Sequence, residues 1–406
     1  MQTMTGNDII FVSDADWNAK RELPVHHVVR LLAKRHRVFY IDNFGGIRGL
    51  MLADIPRALG KLRRILSRQL SDAAPKAGDP ASIAVFQPFI LPTPRLGRTV
   101  GRLNVWLLRR ALKRLLARYD IHDPIIWTRV PSDIVWRSIA DMPRSALVYQ
   151  SVDRFASSPM VPEHARPGLE RYERLFCESA DLVFASARGL YEEKRRINPN
   201  THLFPNGVDP TLFSKSSAPS EQLSQLPRPI IGFTGSLGPW VDYELLRHAA
   251  AMTPEWSYVL VGPVNPGMKL GPLKALPNVH FTGAVPHAEL PSYLAGFDCG
   301  LIPYVIDRFT EFTFPSKLAE YLAMGLPVVS TPLPELSPYA DVVAIVDSPE
   351  GMVTAIRSYL DAPAPRELRE RRIGVAQTLS WDSIVSRMEQ TLDAFLNNLA
   401  EARPSA

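Results

Sequence analysis

The sequence predicts an α/β protein of two domains, each a Rossmann-like parallel sheet with helices on its faces. The chain has 406 residues, of which 46% are hydrophobic. This length suits two domains of about 200 residues, each with its own core. Short apolar strands alternate with amphipathic helices along the whole chain, the pattern typical of parallel sheets. A polar stretch at 214–229, rich in Ser, Pro and Gln, divides this alternation into two halves.

The first half opens with a strand at 8–13, a helix at 25–34 and a strand at 37–42. Its first loop has no GxGxxG, which argues against an NAD-type site there. Further strands are predicted at 84–90, 124–128, 146–151 and 181–186, with a basic helix at 95–118 and a polar helix at 166–179. The Ala-, Pro-, Asp- and Gly-rich residues 71–82 are interpreted as a linker-like insertion.

The second half repeats the pattern, with strands predicted at 230–234, 258–261, 279–282, 299–302, 328–330 and 342–346. Helices are predicted at 241–251, 289–295 and 349–360, and a tail helix follows 381. The expected domains are therefore 1–213 and 230–380, with 214–229 as the linker and 381–406 returning to the first domain. Two such domains should face each other across a cleft at the carboxyl ends of their strands, where α/β sheets bind ligands.

Residues 311–332 form the stretch around which the chain is organised. Pro315 and Ser316 can begin a helix, because Pro fits the first turn and Ser can cap free N–H groups. Apolar residues at 318, 321 and 322 give that helix its buried face, and Gly325 ends it. A short β-branched strand follows.

Lys317 and Glu320 lie on the polar side of this predicted helix, close to its start. A cation and a carboxylate at a helix N-terminus suit a nucleotide diphosphate: the cation and the N-terminus hold the pyrophosphate, and the carboxylate accepts hydrogen bonds from the ribose. The alternative is a surface i,i+3 ion pair, which is common on α/β helices.

The net charge of +5 conceals an asymmetry between the two halves. Residues 1–200 carry 32 basic and 20 acidic residues, whereas residues 201–406 carry 14 and 21. The excess is concentrated in two stretches without acidic residues, 57–68 and 95–118. The second has apolar residues and Trp106 between its basic residues, as in helices that lie on anionic membranes. The alternative is a core-packing helix with a solvated basic face. Nucleic acid is disfavoured, because no helix-turn-helix, zinc pair or interleaved aromatic pattern is present.

Two cysteines far apart in sequence indicate neither a disulfide framework nor a cysteine metal site. The N-terminus lacks the basic and apolar regions of a signal peptide, and no run of 18 uncharged apolar residues occurs. A cytoplasmic location, peripheral to the inner face of the cell membrane, is therefore expected.

The motifs as a series resemble the GT-B glycosyltransferases, especially the group 1, family 4-like enzymes and the glucuronosyltransferase of xanthan assembly. In the second half they are PNGVD at 205–209, FTGSLGPWVDYELL at 233–246, LVGP at 260–263, FTGAVPHAELPSYLAGFDCGLIPY at 281–304 and FPSKLAEYLAMGLPVVST at 314–331. The first half adds YQSVDRF at 149–155 and ESADLVFAS at 178–186. The resemblance covers nearly the whole chain, least well at 45–120.

This resemblance implies a donor site in the second domain. Glu320 matches the glutamate that binds the donor ribose, and Lys317 and Ser316 match a pyrophosphate-contacting pair. The glycine-rich turn at the donor phosphate and the wall against which the nucleobase lies are matched by Gly235, Ser236, Gly262, Phe281, Gly283, Pro286 and Leu290. The alternatives are structural: the glycines only end strands, and Phe281 only packs in the core.

Two positions depart from the family pattern. Phe312 stands where a second glutamate usually contacts the sugar, and Glu311 is displaced by one residue. The usual Arg/Lys pair after the glycine turn is replaced by residues 240–242, Trp-Val-Asp. Lys317 should then carry more of the phosphate charge, and the family's retaining mechanism does not transfer.

Asp153 follows a predicted strand and matches the aspartate base of the xanthan-type enzyme. A carboxylate there suits proton removal from an acceptor hydroxyl in an inverting transfer. The alternatives are a helix N-cap or a pair with Arg154. Asp16, Trp17 and His26 are candidate acceptor contacts, although for the histidines at 26 and 27 a surface pair is favoured over a catalytic one.

The resemblance and the residues together predict a metal-independent glycosyltransferase that needs no cofactor and has no metal site. Its expected donor is a UDP-linked nucleotide diphosphate sugar, and its expected acceptor is a membrane-held, lipid-linked oligosaccharide of exopolysaccharide or envelope synthesis. Two other functions fit the same features: a nucleotide-sugar epimerase on this fold, and a non-catalytic scaffold that binds sugar nucleotides.

Overall fold

The computed structural model describes residues 6–19, 22–42, 72–73, 78–88, 90–91, 97–214, 218–362 and 365–402. These residues form two compact units. Unit 1 comprises residues up to Ser186, Leu190–Phe204 and Val385–Ala406; unit 2 comprises Ala187–Gly189 and Pro205–Ile384. The basic stretch 57–68 lies outside the described residues.

The sheet of unit 1 has eight strands among the described residues, in the order β3-β4-β2-β1-β5-β6-β7-β8. They are β1 (Asp8–Val12), β2 (Arg37–Ile41), β3 (Asp72–Ala73), β4 (Ile83–Phe86), β5 (Ile125–Thr128), β6 (Ala146–Ser151), β7 (Leu182–Ala185) and β8 (Thr201–Leu203). Every pairing is parallel except that of β3 with β4. Strand β3 lies in the stretch interpreted as a linker-like insertion, so part of that stretch belongs to the sheet.

The helices of unit 1 are α1 (Pro24–Leu32), α2 (Gly97–Tyr119), α3 (Asp133–Ile139), α4 (Arg166–Ser179) and most of α5 (Arg188–Lys194). The predicted basic helix is α2. It packs Leu108, Leu112 and Leu115 into the core formed with β1, β2, β5 and β6. The short helices α3 and α5 were not predicted, although the Ser132 side chain caps α3 by accepting from the Val135 N–H.

The sheet of unit 2 has six parallel strands in the order β11-β10-β9-β12-β13-β14. They are β9 (Ile230–Thr234), β10 (Ser257–Val261), β11 (Val279–Gly283), β12 (Cys299–Ile302), β13 (Val328–Ser330) and β14 (Ala344–Ile345). Because all six run in one direction, their carboxyl ends share one edge of the sheet.

The helices of unit 2 are α6 (Glu221–Ser224), α7 (Tyr243–Met252), α8 (Gly271–Lys274), α9 (Leu290–Gly296), α10 (Lys317–Ala323), α11 (Pro349–Asp361) and α12 (Arg366–Thr378). The last helix, α13 (Trp381–Ala402), continues into unit 1, where Arg35 lies 3.2 Å from Asp393. The polar stretch expected to be a linker contains α6, and Leu223 of α6 is buried against Gly296.

Helix α10 forms where the sequence predicts it, with the predicted buried face and the predicted glycine end. Leu318, Tyr321 and Leu322 are fully buried. Gly325 ends the helix with a φ of +70°, a conformation that glycine adopts at little cost. The Tyr321 hydroxyl accepts a hydrogen bond of 2.8 Å from the Thr234 N–H. This bond fixes α10 against the end of β9.

Candidate functional site

Three glycine turns lie side by side at the carboxyl edge of the unit 2 sheet. Gly235, Gly262 and Gly283 end or follow β9, β10 and β11, with φ of +131°, +144° and +75°. The Gly235 N–H donates to Val261 (2.8 Å), and the Gly262 N–H donates to Gly283 (2.9 Å). A Cβ on Gly262 would lie 2.0 Å from the Gly235 carbonyl oxygen. Only glycine therefore allows these turns to pack together, and backbone without side chains is what a phosphate can approach closely.

Lys317 reaches this glycine turn from α10. The residue is 6% exposed, and a Cβ on Gly235 would lie 3.5 Å from its Nζ. Its ammonium lies 5.0 Å from the ring centre of Phe233 and 4.5 Å from that of Tyr304. It also donates a hydrogen bond to the Tyr304 hydroxyl. In the described part of the chain no carboxylate pairs with it. Among the described residues this nearly buried cation contacts the Phe233 ring and the Tyr304 ring with its hydroxyl, an environment that suits an anionic ligand.

Tyr304 was missed by sequence reasoning, although it follows β12 in the matched stretch. Its backbone is held by Thr331, whose Oγ1 accepts from the Tyr304 N–H (3.1 Å) and donates to the Tyr304 carbonyl (2.7 Å). Because an ammonium only donates, the phenol oxygen accepts from Lys317, and its own O–H remains available to donate elsewhere.

Glu320 lies one helical turn after Lys317, with 15% of its side chain exposed. Its Oε1 is 3.6 Å from the Nε2 of His287. His287 packs edge-on against the buried ring of Phe213, with centres 5.4 Å apart. Lys317 and Glu320 therefore do not form the surface ion pair given as the alternative. His287 was the second residue missed, since one histidine in a loop carries no distinguishing signal.

The remaining predicted donor residues lie around this edge. Phe281 is partly exposed, with the Lys274 ammonium 5.4 Å from its ring centre, so it is not simply a core residue. Pro286 is exposed and Leu290 is partly exposed at the start of α9. Ser236 follows Gly235. Ser316 precedes α10 in helical conformation and its side chain makes no capping hydrogen bond, which corrects the predicted capping role.

Asp153 follows β6 at the carboxyl edge of the unit 1 sheet. Burial raises the pKa of its carboxyl group to about 7; the nearby Arg129 opposes the rise and Asp14 adds to it. Arg154 pairs with Glu193 at 3.0 Å. The short 3-10 helix that follows Asp153 has no side-chain cap. Neither alternative given for Asp153, an N-cap or a pair with Arg154, is therefore what the structure provides. A carboxyl group that titrates near neutral pH suits a general base.

The residues beside Asp153 are tied to a buried ion network. The Ser151 hydroxyl donates to Glu173 (3.4 Å), and the ammonium of Lys194 lies 3.1 Å from the same carboxylate. Lys194 also lies 2.7 Å from Glu193, the partner of Arg154. Both sides of the Asp153 loop are thus fixed to α4 and α5.

The candidate acceptor contacts are not all where they were expected. Trp17 and His26 are fully buried and pack against each other, with ring centres 5.2 Å apart. The Trp17 Nε1–H donates to Asp79 (2.9 Å), and the His26 Nδ1 accepts from the Leu23 N–H (3.1 Å). Both are therefore core residues, which corrects the expectation of ligand contacts. Asp16 is exposed, and its carboxylate accepts from the Asn18 N–H within the loop.

Two parallel-sheet α/β units, each with candidate site residues at the carboxyl edge of its sheet, identify the fold class: the chain has the GT-B fold. It aligns with sucrose-phosphate synthase from Thermosynechococcus elongatus at a TM-score of 0.72 and 18% identity, covering 97% of this chain and 100% of that one. It aligns with Anabaena HepE, solved in complex with UDP-glucose, at 0.65 and 18%, covering 96% and 100%. At these identities the likeness shows the fold, as the sequence predicts.

Residues 228–362 match the family of group 1 glycosyl transferases. The chain is also similar to a putative teichuronic acid biosynthesis glycosyltransferase, TuaH of Bacillus subtilis strain 168, with 30% identity over 255 residues. That match covers 59% of this chain and 64% of TuaH, so it spans less than two thirds of that relative. The predicted resemblance to group 1 GT-B glycosyltransferases is confirmed.

Proposed function

We propose that this chain is a glycosyltransferase. It moves a sugar from a UDP-linked donor to a lipid-linked saccharide at the inner face of the cell membrane, in the synthesis of an exopolysaccharide or envelope polysaccharide. The proposal of a nucleotide-sugar donor rests on the environment of Lys317. Its ammonium is almost buried next to the Gly235 turn and has no carboxylate partner in the described residues. HepE with UDP-glucose and TuaH in teichuronic acid synthesis support the same chemistry.

The donor would lie along the carboxyl edge of unit 2. The Lys317 ammonium would meet the diphosphate, and the glycine turns would let its oxygens approach the backbone. Glu320 would accept hydrogen bonds from the ribose hydroxyls, and Phe281 would form one wall of the nucleobase site. Charge on the leaving diphosphate would be stabilised by this cation and these fixed dipoles, so the proposal includes no metal and no cofactor.

Nucleotide binding gives the first test. Purified protein is heated with UDP, GDP, ADP or dTDP, and the unfolding temperature is followed. A ligand of the folded state at 100 times its Kd stabilises it by about 2.7 kcal/mol. We expect UDP to raise the unfolding temperature of the native chain but not of Lys317→Ala or Glu320→Ala.

Arg366→Ala is the matched control, because Arg366 lies in the same unit, 86% exposed, in a surface pair with Glu370. It should keep the full UDP shift. The shift should also persist in EDTA; its loss there would contradict metal independence. A native chain stabilised by none of the four nucleotides would contradict the donor proposal and favour a function without a nucleotide sugar.

The membrane half of the proposal rests on the outer face of α2. Six basic residues of this helix are exposed: Arg102, Arg109, Arg110, Lys113, Arg114 and Arg118. Among them Leu103 is 42% exposed and Trp106 55%, and the Arg110 guanidinium lies 5.6 Å over the Trp106 ring. Core packing explains the inner leucines of α2 but not these two. No helix among the described residues has the length and apolar character needed to cross a bilayer.

Vesicle sedimentation tests this surface. Each basic residue near an anionic leaflet contributes about 1 kcal/mol, and salt screens the attraction. We expect binding to vesicles rich in phosphatidylglycerol, little binding to pure phosphatidylcholine, and release by high salt. Leu103→Ser/Trp106→Ser should weaken binding about tenfold or more, because it removes buried apolar area.

Met252→Ser, which removes an apolar side chain that is 47% exposed in unit 2, is the control and should bind normally. Equal sedimentation of the native chain with both lipids would refute the proposed preference for anionic membranes. Equal binding of the Leu103→Ser/Trp106→Ser variant would refute the role of these two side chains.

A further inference from the structure

Three neighbouring strands of unit 1 are each followed by a charged residue at the carboxyl edge of the sheet. Strands β1, β5 and β6 are adjacent and parallel, with Val12 paired to Thr128 and Thr128 paired to Tyr149. Asp14 follows β1, Arg129 follows β5 and Asp153 follows β6. Parallel strands in register place the residues after their carboxyl ends together.

Asp14 and Arg129 form an ion pair that leaves hydrogen-bonding capacity unused. The Arg129 Nε lies 3.2 Å from the Asp14 Oδ1, with 13% and 28% of the two side chains exposed. Both atoms are buried, and within the described residues neither makes a hydrogen bond of good geometry. Unsatisfied buried polar atoms at a strand edge indicate groups retained for a purpose other than stability.

We propose that Asp14 and Arg129 are positioning residues that set the charge of the Asp153 carboxylate, Arg129 favouring its ionised form and Asp14 limiting that effect. The inference rests on the proposed transfer, in which the ionised carboxylate takes the proton of an acceptor hydroxyl. The hydroxyl oxygen then bonds to the anomeric carbon as the bond from that carbon to the diphosphate oxygen breaks, and the diphosphate leaves with that electron pair.

The electrostatics agree with this arrangement. Burial raises the pKa of Asp153, the Arg129 charge lowers it and the Asp14 charge raises it, with the result near 7. Arg129, Asp14 and Asp42 act on the phenol of Tyr40, and Arg129 and Glu173 act on the phenol of Tyr149. The Asp42 carboxylate accepts from the Trp17 backbone N–H and the Gln87 amide. Glu173 is paired with Lys194, and Arg154, the residue after Asp153, is paired with Glu193. The lysine and arginine of those pairs are matched by carboxylates, and both phenols have pKa values raised by burial, so they stay neutral at pH 7.

Removing the two positioning residues should shift the pKa of Asp153 in opposite directions. A general loss of folding could not produce shifts of opposite sign. Without Arg129, two carboxylates remain close together and the pKa of Asp153 rises; without Asp14, Arg129 acts on Asp153 alone and that pKa falls. Arg129→Gln should therefore lower kcat/KM at pH 7 about fivefold for the first unit of upward shift and about tenfold for each further unit, because the ionised fraction starts near one half. Asp14→Asn should raise kcat/KM at pH 6 several-fold, because more of the base is then ionised.

The titration can be read without the transfer reaction. The Asp side-chain carboxyl carbons are labelled with ¹³C, and the Asp153 signal is assigned by its absence in Asp153→Asn. We expect its midpoint near pH 7 in the native chain, higher in Arg129→Gln and lower in Asp14→Asn. Arg174→Gln removes an exposed pair with Glu178 in the same unit and should leave the midpoint unchanged.

Midpoints that stay the same, or that move in one direction in both variants, would overturn the inference. If Arg129→Gln does not fold, Asp14→Asn alone decides by the sign of its shift. A native chain that titrates as expected but transfers no sugar from any UDP-sugar would count against the proposed function and leave the charge relation intact.

Discussion

Asp153→Asn should lower kcat for sugar transfer about 10²–10⁴-fold, the usual contribution of a general base. Asparagine keeps the size and polarity of the side chain but cannot accept the proton of the acceptor hydroxyl. The variant should bind UDP as well as the native chain, because Asp153 belongs to unit 1 and the proposed nucleotide site lies wholly in unit 2. Steady-state transfer rates and UDP thermal shifts measure the two quantities separately.

The same substitution separates the three candidate functions. A scaffold that binds sugar nucleotides would show no change in any property, and an epimerase would convert the UDP-sugar without an acceptor. Asp141→Asn is the control, since this carboxylate is 83% exposed in a surface pair with Arg109 of the same unit. Undiminished transfer by Asp153→Asn would refute its role as the base.

Folding stability shows whether the loss of kcat in Asp153→Asn comes from the missing base or from a destabilised fold. In the native chain the pKa of Asp153 lies near 7, above its ordinary value. A raised carboxyl pKa means that the folded state holds a proton which the unfolded state releases, so this group's contribution falls as pH rises from about 4 to 7. Asparagine removes that pH dependence, and Asp153→Asn should therefore be no less stable than the native chain at pH 8.

Local sequence signals predict much of this fold. Helix α10 is specified by the apolar spacing and by Gly325, both within one stretch. Helix α4 is predicted with its observed ends. Helix α12 was missed because its sequence is highly charged, and its arginine at 372 is buried by packing that no local pattern reveals.

The donor residues were found through motifs, but their partners were not. Tyr304 and His287 lie 13 and 33 residues before the side chains they contact. Asp14 and Arg129 come together only because β1 and β5 are neighbours in the sheet. Trp17 and His26 were misplaced for a related reason: polar atoms on aromatic side chains suggest a ligand site. Only the tertiary structure shows that both rings are buried, with the Trp17 Nε1–H donating to Asp79 and the His26 Nδ1 accepting from a backbone N–H.

Lys194→Met should destabilise unit 1 by about 3–5 kcal/mol, because it leaves the Glu173 carboxylate buried without a counter-charge. The side chains of Lys194 and Glu173 are only 3% and 8% exposed. Methionine fills a similar volume, so the loss is electrostatic rather than a cavity effect. Chemical denaturation, followed by the fluorescence of Trp127 and the other tryptophans, measures the change.

The effect of Lys194→Met should depend on pH in a defined direction. Burial raises the pKa of Glu173 and Lys194 opposes that rise. Without Lys194 the pKa rises further, and the folded state then takes up a proton that the unfolded state does not bind above about pH 4.3. The variant should therefore regain stability as the pH falls from 8 to 5. Equal destabilisation at both pH values would show that shape, not charge, was lost.

Glu173→Gln/Lys194→Met should recover most of the lost stability, because neutral groups of similar size replace both charges. Glu178→Gln, in the exposed Arg174 pair of the same helix α4, should change stability by no more than about 0.5 kcal/mol.

The double variant also tests what the network does for Asp153, since Ser151 loses its carboxylate partner while the fold is kept. A folded double variant with reduced kcat and unchanged UDP binding would show that these buried charges hold the loop of the base in place. An unchanged kcat would show that these buried charges contribute to folding stability and not to the transfer reaction.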